Sequence, residues 1–424
     1  MKDFTAIVLA AGKGVRMKSP LPKVLHKIRG KPLIGYVLEE LAALKFIKQI
    51  IVVVGYKGKE VESYVKENFP KASCVYQKKL LGTADAVKPT QHKVKYNNVL
   101  ILCADAPLVT RKTIFSFLHS YVTQNLPCSL ITAYVESTNE FGRIVRDDSG
   151  RVKAIVEKIV LEDNKKTNQL RKDTKEVNSG IYAFDRETLF ENLNAIQINP
   201  NKREYFFTDI VEIMYNRGYR IGACSLSDPQ EMLGINNQRD LCMAEKILYK
   251  RVVDKFLDEG VRIIDPQSTF IDEGVRIGKG TIIYPFTFIQ RNVIIAANCV
   301  LGPFIHLREG TYIAAGTHLG NFIEICRSRI GKNVRAKHFG YLGDTTVGDN
   351  VNIGAGTVVA NFDGKNKNKT AISKNAFIGS DTVLVAPVNV GKYAVTGAGS
   401  VVTKNVKPRT IVVGVPAKLF KKKK

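Results

Sequence analysis

The chain has 424 residues, 45% of them hydrophobic, and a formal net charge of +25; this length suits two or three domains, and the apolar content excludes a disordered chain. No apolar run approaches the roughly 20 residues of a membrane-spanning helix, and the seven scattered cysteines, with no CxxC pair, point away from a disulfide framework or a zinc site. The basic excess is read as lysine spread over solvated faces rather than a nucleic-acid surface, and without a leader-like opening a reducing, cytoplasmic setting is expected.

The first strand is expected over Ala6–Ala10, and it runs directly into LAAGKGVRMKSPLPK, Leu9 to Lys23. Gly12 and Gly14 place no Cβ between the backbone and an anion, while Lys13, Arg16 and Lys23 supply positive charge. The loop therefore reads as a triphosphate site. It is not a P-loop, because no Gly-Lys-Ser/Thr closes it, nor a dinucleotide fingerprint. The competing reading, a plain glycine turn, does not account for Lys13, Arg16 and Lys23 together with Pro22 in so short a stretch.

Further strands are expected at Gln49–Val54, Val99–Cys103 and Ser129–Tyr134, with helices such as Tyr36–Lys45 and Lys59–Asn68 between them. That alternation predicts an α/β sheet of mostly parallel strands from Asp3 to about Leu241, with ligands at the carboxyl ends of the strands. Asp105 follows Val99–Cys103 and falls at such an end. Leu241–Glu259 has apolar residues three and four apart and predicts a connecting helix.

The period then changes. Ile277, Ile283, Ile289, Ile295, Leu301, Leu307, Ile313, Leu319 and Ile325 recur every six residues, and the series resumes with slips to Val390. Glycine often follows, as at Gly278, Gly320 and Gly354, and is read as easing a tight corner. This is the pattern of a hexapeptide parallel β-helix, in which the aliphatics are core and not site. Between Val359 and Ala371 the polar run ANFDGKNKNKT interrupts the repeat, the kind of loop on which function concentrates. The tail Lys421–Lys424 is expected to be unordered.

Two signatures in one chain carry a resemblance. Through LAAGKGVRM, LPKVLH, LLGTADAV, EVNSGIYAFD and GINNQRDL, and then GPFIHLREGT, LGNFIEI, KHFGYLGD, NIGAGTVVANFDGKNK and GSDTVLVAPV, the chain resembles the bifunctional UDP-N-acetylglucosamine pyrophosphorylase / glucosamine-1-phosphate N-acetyltransferase family from about Phe4 to Val406. The resemblance implies a Rossmann-like α/β nucleotidyltransferase domain over 1–240, a linker helix over 241–260, an all-β left-handed parallel β-helix acetyltransferase domain over 261–410 and a basic tail over 411–424. It also implies a homotrimer.

The implied substrates are UTP, N-acetylglucosamine-1-phosphate, glucosamine-1-phosphate and acetyl-CoA, with Mg²⁺ as the metal. By the same resemblance Arg16 and Lys23 are catalytic cations around the phosphates. Asp105 and Asn236 are the metal ligands. Leu9, Ala10, Ala11, Gly12, Gln77, Gly82 and Thr83 bind the nucleotide; Gly142, Glu157 and Asn178 bind the sugar. For acetyl transfer, His338 (one of six histidines) is the general base and Glu324 its orienting acid. A histidine of this kind, met alone, is more often structural. Arg308, Tyr341 and Asn352 contact the acceptor sugar phosphate, and Ala355, Asn361, Phe362, Ser380 and Ala398 line the coenzyme groove.

The chain departs from the family pattern in several places. Val15 stands for a hydroxyl residue, Ala104 for a glycine, Phe362 for a tyrosine, Cys326 for a lysine on the sugar phosphate and Gly414 for an arginine on the coenzyme phosphates. Val160 to Lys175 is longer and more basic than typical, and the chain is a coil or two short before Gly302. Two other readings follow: uridylyl transfer alone, with the β-helix as an oligomerisation device, and a non-catalytic nucleotide-sugar sensor, which Arg16, Lys23, Asp105 and Asn236 oppose.

Overall fold

The computed structural model describes residues 1–136, 141–157, 174–200 and 203–422. Most of the Val160–Lys175 stretch lies outside them. The chain divides into two compact units, Met1–Glu245 and Lys246–Lys424.

In the first unit the elements run β1 (Phe4–Ala10), α1 (Leu33–Ala42), β2 (Ile47–Val54), α2 (Gly58–Asn68), β3 (Ala72–Tyr76), α3 (Thr83–Val87), β4 (Asn98–Cys103), α4 (Arg111–Gln124) and β5 (Cys128–Tyr134). Then come β6 (Arg143–Arg146), β7 (Val152–Val156), β8 (Glu176–Asp185), α5 (Arg186–Leu193), α6 (Asp209–Asn216) and β9 (Ile221–Ser225), and last α7 (Gln238–Asp258), whose residues are shared between the two units. The sheet order is β9-β5-β8-β4-β1-β2-β3. β8 is antiparallel to both neighbours, and the remaining pairs along this path are parallel.

β1 is the centre: Ile7 pairs with Ile51 on one side and Ile101 on the other. A strand flanked by crossover helices is buried on both faces, so its sequence reads as a nearly unbroken apolar run. Ala6 and Val8 pack towards Ile34, Val37, Leu38 and Val61. Ile7 packs towards Val87, Phe184, Phe207 and Ile210 on the opposite face.

α1 starts three residues before the expected Tyr36, directly after Pro32. Proline presets φ and tolerates the missing donor only at a helix start, so it marks the beginning better than the apolar spacing does. α7 starts earlier than expected too. The side chain of Asn237 accepts from the backbone N–H of Arg239 at 2.8 Å and of Asp240 at 3.0 Å and so caps it.

In the second unit, strands of two to four residues stack into three parallel sheets. Partners on successive coils lie eighteen residues apart in the early coils, as Ile283 with Leu301 and Leu301 with Leu319, and seventeen apart in the middle ones, as Leu319 with Ala336. Six residues per face and three faces per coil produce the eighteen-residue offset. The interior is a column of aliphatics: Ile283, Ile289, Leu301, Leu307, Ile313 and Ile325 show no exposed surface.

The glycines after these aliphatics have a different reason from the one expected. A Cβ on Gly278 would lie 2.4 Å from the Ala297 nitrogen, and one on Gly354 would lie 2.5 Å from the Ser380 nitrogen. The next coil's backbone passes too close for any side chain. Apart from Gly302 after Leu301, which has φ +100° as a corner glycine would, the left-handed corners fall elsewhere, at residues such as Asn292, Asn298, Asn333 and Asn350, and asparagine is the non-glycine residue most tolerant of that conformation. Buried threonines close the corners: Thr287 donates to the Tyr284 carbonyl at 2.7 Å, and Thr317 to the Gly331 carbonyl at 2.8 Å.

The part of the tail that is described, Lys421 and Lys422, also differs from expectation, while residues 423–424 lie outside the described residues. Lys418–Lys422 forms an antiparallel strand on Thr410–Val413. Backbone pairing to an open sheet edge is available to any sequence without proline, so the charge of the tail does not prevent it.

Candidate active sites

The carboxyl ends of β1, β3 and β4 open into a cleft of about 620 Å³. Leu9, Ala10, Ala11, Gly12, Lys23, Gln77, Gly82, Thr83, Asp105 and Glu157 all line it. Each position has a local cause. Gly14 adopts a left-handed conformation (φ 61°), and a Cβ there would lie 2.6 Å from the Cβ of Lys23. The glycine thus lets the loop fold back onto Lys23. Gly82 has φ +106°, and a Cβ on it would meet the Tyr205 carbonyl oxygen at 2.5 Å. Gln77 donates through Nε2 to the Gly82 carbonyl at 3.0 Å and to Asp85 at 2.9 Å. These bonds fix the amide at the cleft wall.

At the floor, Lys23 Nζ forms an ion pair with Asp105 Oδ2 and donates to Asn236 Oδ1 at 3.1 Å. Arg16 Nη2 donates to the same oxygen at 3.0 Å. Asn236 is itself aimed by Asp240, whose carboxylate accepts its backbone N–H at 2.8 Å. One carboxylate and one amide oxygen therefore converge on a cation. This donor set fits Mg²⁺, which needs few protein oxygens because phosphates and water complete its shell. No group of three acidic, histidine or cysteine side chains that would hold a metal unaided occurs among the described residues.

Of the residues expected at the sugar, Glu157 lines the cleft, whereas Gly142 and Asn178 stand behind it and do not. A Cβ on Gly142 would lie 3.4 Å from the Glu157 carboxyl carbon, and the Gly142 carbonyl accepts from the Asn178 backbone N–H at 2.9 Å. Asn178 Nδ2 donates to the Tyr182 hydroxyl at 2.6 Å. Thr208 donates to Glu157 at 3.0 Å. Burial raises the Glu157 carboxyl above its ordinary value despite that bond. Asp209, which the sequence reading missed, is pushed up to about 6, first by burial and then by the neighbouring Glu157 and Glu212 carboxylates. Its only sequence signal is its place in EYFFTDIV.

In the second unit the expected residues fall into two groups. His338, Asn352, Ala355, Ser380 and Ala398 line one cavity of about 490 Å³. Arg308, Glu324, Tyr341, Asn361 and Phe362 do not line it. Glu324 pairs with Arg308 at 3.0 Å, and no hydrogen bond joins it to His338 among the described residues. Tyr341 stands beside Glu324 on the next coil. Its hydroxyl and the Asn361 amide converge over Gly343, where a Cβ would lie 2.4 Å from the hydroxyl and 2.7 Å from the amide nitrogen. Asn361 is buried and donates to Asp344, whereas the neighbouring Phe362 ring is exposed.

Cys326 is buried, and Arg327 beside it makes a two-pronged pair with Asp344 at 2.7 and 2.8 Å. Arg327 Nη1 also lies 2.8 Å from Cys326 Sγ. The arginine holds the Asp344 carboxyl below the usual carboxylate range. The charge next to Cys326 is thus committed to the protein's own carboxylate.

Known proteins align with this arrangement along its length. The nucleotidyl transferase family model matches residues 5–230. A bifunctional protein GlmU of Heliobacterium modesticaldum is 39% identical, covering 97% of this chain and 96% of that protein. One from Thermosipho melanesiensis is 38% identical (96% and 94% covered), and one from Lactococcus lactis is 38% identical (96% and 95% covered). Identity at this level through both units leaves one assignment: the chain belongs to the family of bifunctional GlmU proteins.

Proposed function

We propose that this chain makes UDP-N-acetylglucosamine in two steps, acetyl transfer from acetyl-CoA to glucosamine-1-phosphate and then uridylyl transfer from UTP to N-acetylglucosamine-1-phosphate. The observation that carries the reading is the convergence of Lys23, Asp105 and Asn236 in the cleft that Gln77, Gly82 and Glu157 also line.

In the uridylyl step a sugar-phosphate oxygen attacks the α-phosphorus of UTP and pyrophosphate leaves. Asp105 and Asn236 would hold Mg²⁺, which supplies positive charge at the α-phosphate when bound. Lys23 and Arg16 stabilise the charge that builds up in the transition state, and the walls around Gln77 and Glu157 hold base and sugar in line, so catalysis is positional and electrostatic. In the acetyl step His338 takes the proton as the sugar amine attacks the thioester carbon, and the thiol of coenzyme A leaves. Arg308 and Tyr341 orient the acceptor, and the Ala355–Ser380–Ala398 wall receives the coenzyme. Glu324 and Tyr341 do not line the His338 cavity, and in a homotrimer neighbouring chains would complete each acetyl site.

A second reading, uridylyl transfer alone, is favoured by Cys326 and by the engagement of Arg327 with Asp344. Omitting each substrate in turn decides between them. UDP-N-acetylglucosamine formed from glucosamine-1-phosphate, acetyl-CoA and UTP supports two steps; product from pre-acetylated sugar phosphate alone supports the second reading. Asp105→Ala is expected to abolish pyrophosphate release and spare acetyl transfer, and His338→Ala to do the reverse. Joint loss of both activities in either variant would sink the two-site assignment.

A further inference from the structure

The seat formed by Asp105 and Asn236 is filled by the chain itself. The Lys23 ammonium contacts the oxygens of both residues, one as an ion pair and one at 3.1 Å, and its side chain is only 16% exposed. No group of three acidic, histidine or cysteine side chains gathers there among the described residues. We propose that Lys23 is a resident counter-cation. In the nucleotide-free protein it occupies the metal seat, and it leaves for the triphosphate when UTP arrives, so that metal and nucleotide bind as a coupled pair. This rests on the metal assignment made above.

Three features support it. First, an ammonium and a divalent ion repel each other, and one carboxylate cannot neutralise both at one point. The metal must therefore displace the lysine, and until a new anion receives it the lysine competes for the seat. Second, Lys23 can leave without moving the fold. Its backbone is held where Gly14 packs against its Cβ, while its flexible four-carbon stem lets the charge swing. Third, the destination is adjacent, because Lys23 also lines the cleft whose rim is Leu9 to Gly12. An anion bound there would attract the ammonium and vacate the seat. By linkage, whatever the nucleotide does for the metal the metal does for the nucleotide.

Binding of Mn²⁺ to the full-length, nucleotide-free protein, followed by calorimetry and by loss of the free-ion paramagnetic signal, tests the idea. Lys23→Met is expected to bind Mn²⁺ about tenfold or more tightly than wild type, since a like charge beside the ion is removed. Lys23→Gln provides a second variant should the first fold poorly. Lys13→Met removes the same charge from the same cleft but not from the seat, and is expected to change affinity by less than about threefold. Equal affinities for wild type and both Lys23 variants, no measurable Mn²⁺ binding to any of them, or an equal gain in Lys13→Met would overturn the proposal. Adding Asp105→Ala to Lys23→Met separates the two claims. If Mn²⁺ binding survives that change, it is the metal assignment that fails.

Discussion

Lys23 owes its position to a residue without a side chain. At Gly14 both the left-handed backbone and the contact with the Lys23 Cβ forbid a methyl group. Gly14→Ala is therefore expected to displace the lysine by a fraction of an ångström to an ångström. Misplacement on that scale lowers a rate by about a hundredfold. The uridylyl turnover number should fall to that degree while acetyl transfer, assayed separately, stays at the wild-type rate. Asp209 makes a prediction in pH. Its carboxyl is raised to about 6 in the folded chain by burial and by Glu157 and Glu212, against an ordinary value near 3.8. The folded state therefore binds the proton more tightly than the unfolded one. This contribution to stability is fully present below about pH 4 and is lost as pH rises through 6. Asp209→Asn should raise the melting temperature at pH 8, and the gain should vanish near pH 4; a pH-independent difference would contradict the assignment. The residues of this site were unequally legible in the sequence. Leu9 to Lys23 is contiguous, so glycines and cations could be read together. Asn236 meets Lys23 across 213 positions, and no local pattern marks such a meeting.

At the scale of elements, the six-residue period foretold the coil because each aliphatic fills the same interior position on every pass. It did not foretell why glycine follows. At Gly320 a Cβ would overlap the Lys337 carbonyl of the next coil, so the restriction comes from a neighbour seventeen residues away. Gly320→Ala should consequently cost about 2–3 kcal/mol through overpacking, measured as a fall in the denaturation midpoint of the second unit. Asn298→Ala, at a left-handed corner, should cost about 1 kcal/mol. Equal losses at the two positions would argue against separate causes. The corner threonines were invisible for a related reason. Their hydroxyls answer carbonyls that become buried only when coils stack, and nothing in the local sequence states that need. The tail misled in the opposite way. Its lysines suggested solvent, yet its backbone pairs with Thr410–Val413.

At the scale of the whole molecule, the two units follow different rules of construction. In the first, strands distant in sequence lie side by side, as β1 between β2 and β4, so the site depends on the complete sheet. In the second, each coil touches chiefly the coil before and the coil after, which makes its stability close to a sum of coil and interface terms. Amide hydrogen exchange should therefore be slowest in central coils, around Leu319 and Ile325, and faster towards Ile263 and Val412. A uniform rate along the stack would mean that it opens as one body.

The eighteen-residue offset also makes length a variable that can change in whole steps. An insertion of one full coil adds a rung and leaves every other interior contact in register; a single residue more or less is absorbed at a corner, as where Leu319 pairs with Ala336, and a run of intermediate length is expelled as a loop. The ANFDGKNKNKT excursion is an instance of the last outcome: Val347 pairs with Ile372 and Ile353 with Ile378, and the rungs beyond continue undisturbed. Such a stack behaves as a ruler with removable divisions. Relatives that differ in coil number can keep the same chemistry at a different height, and new surface can be grafted at a corner without redesigning the interior.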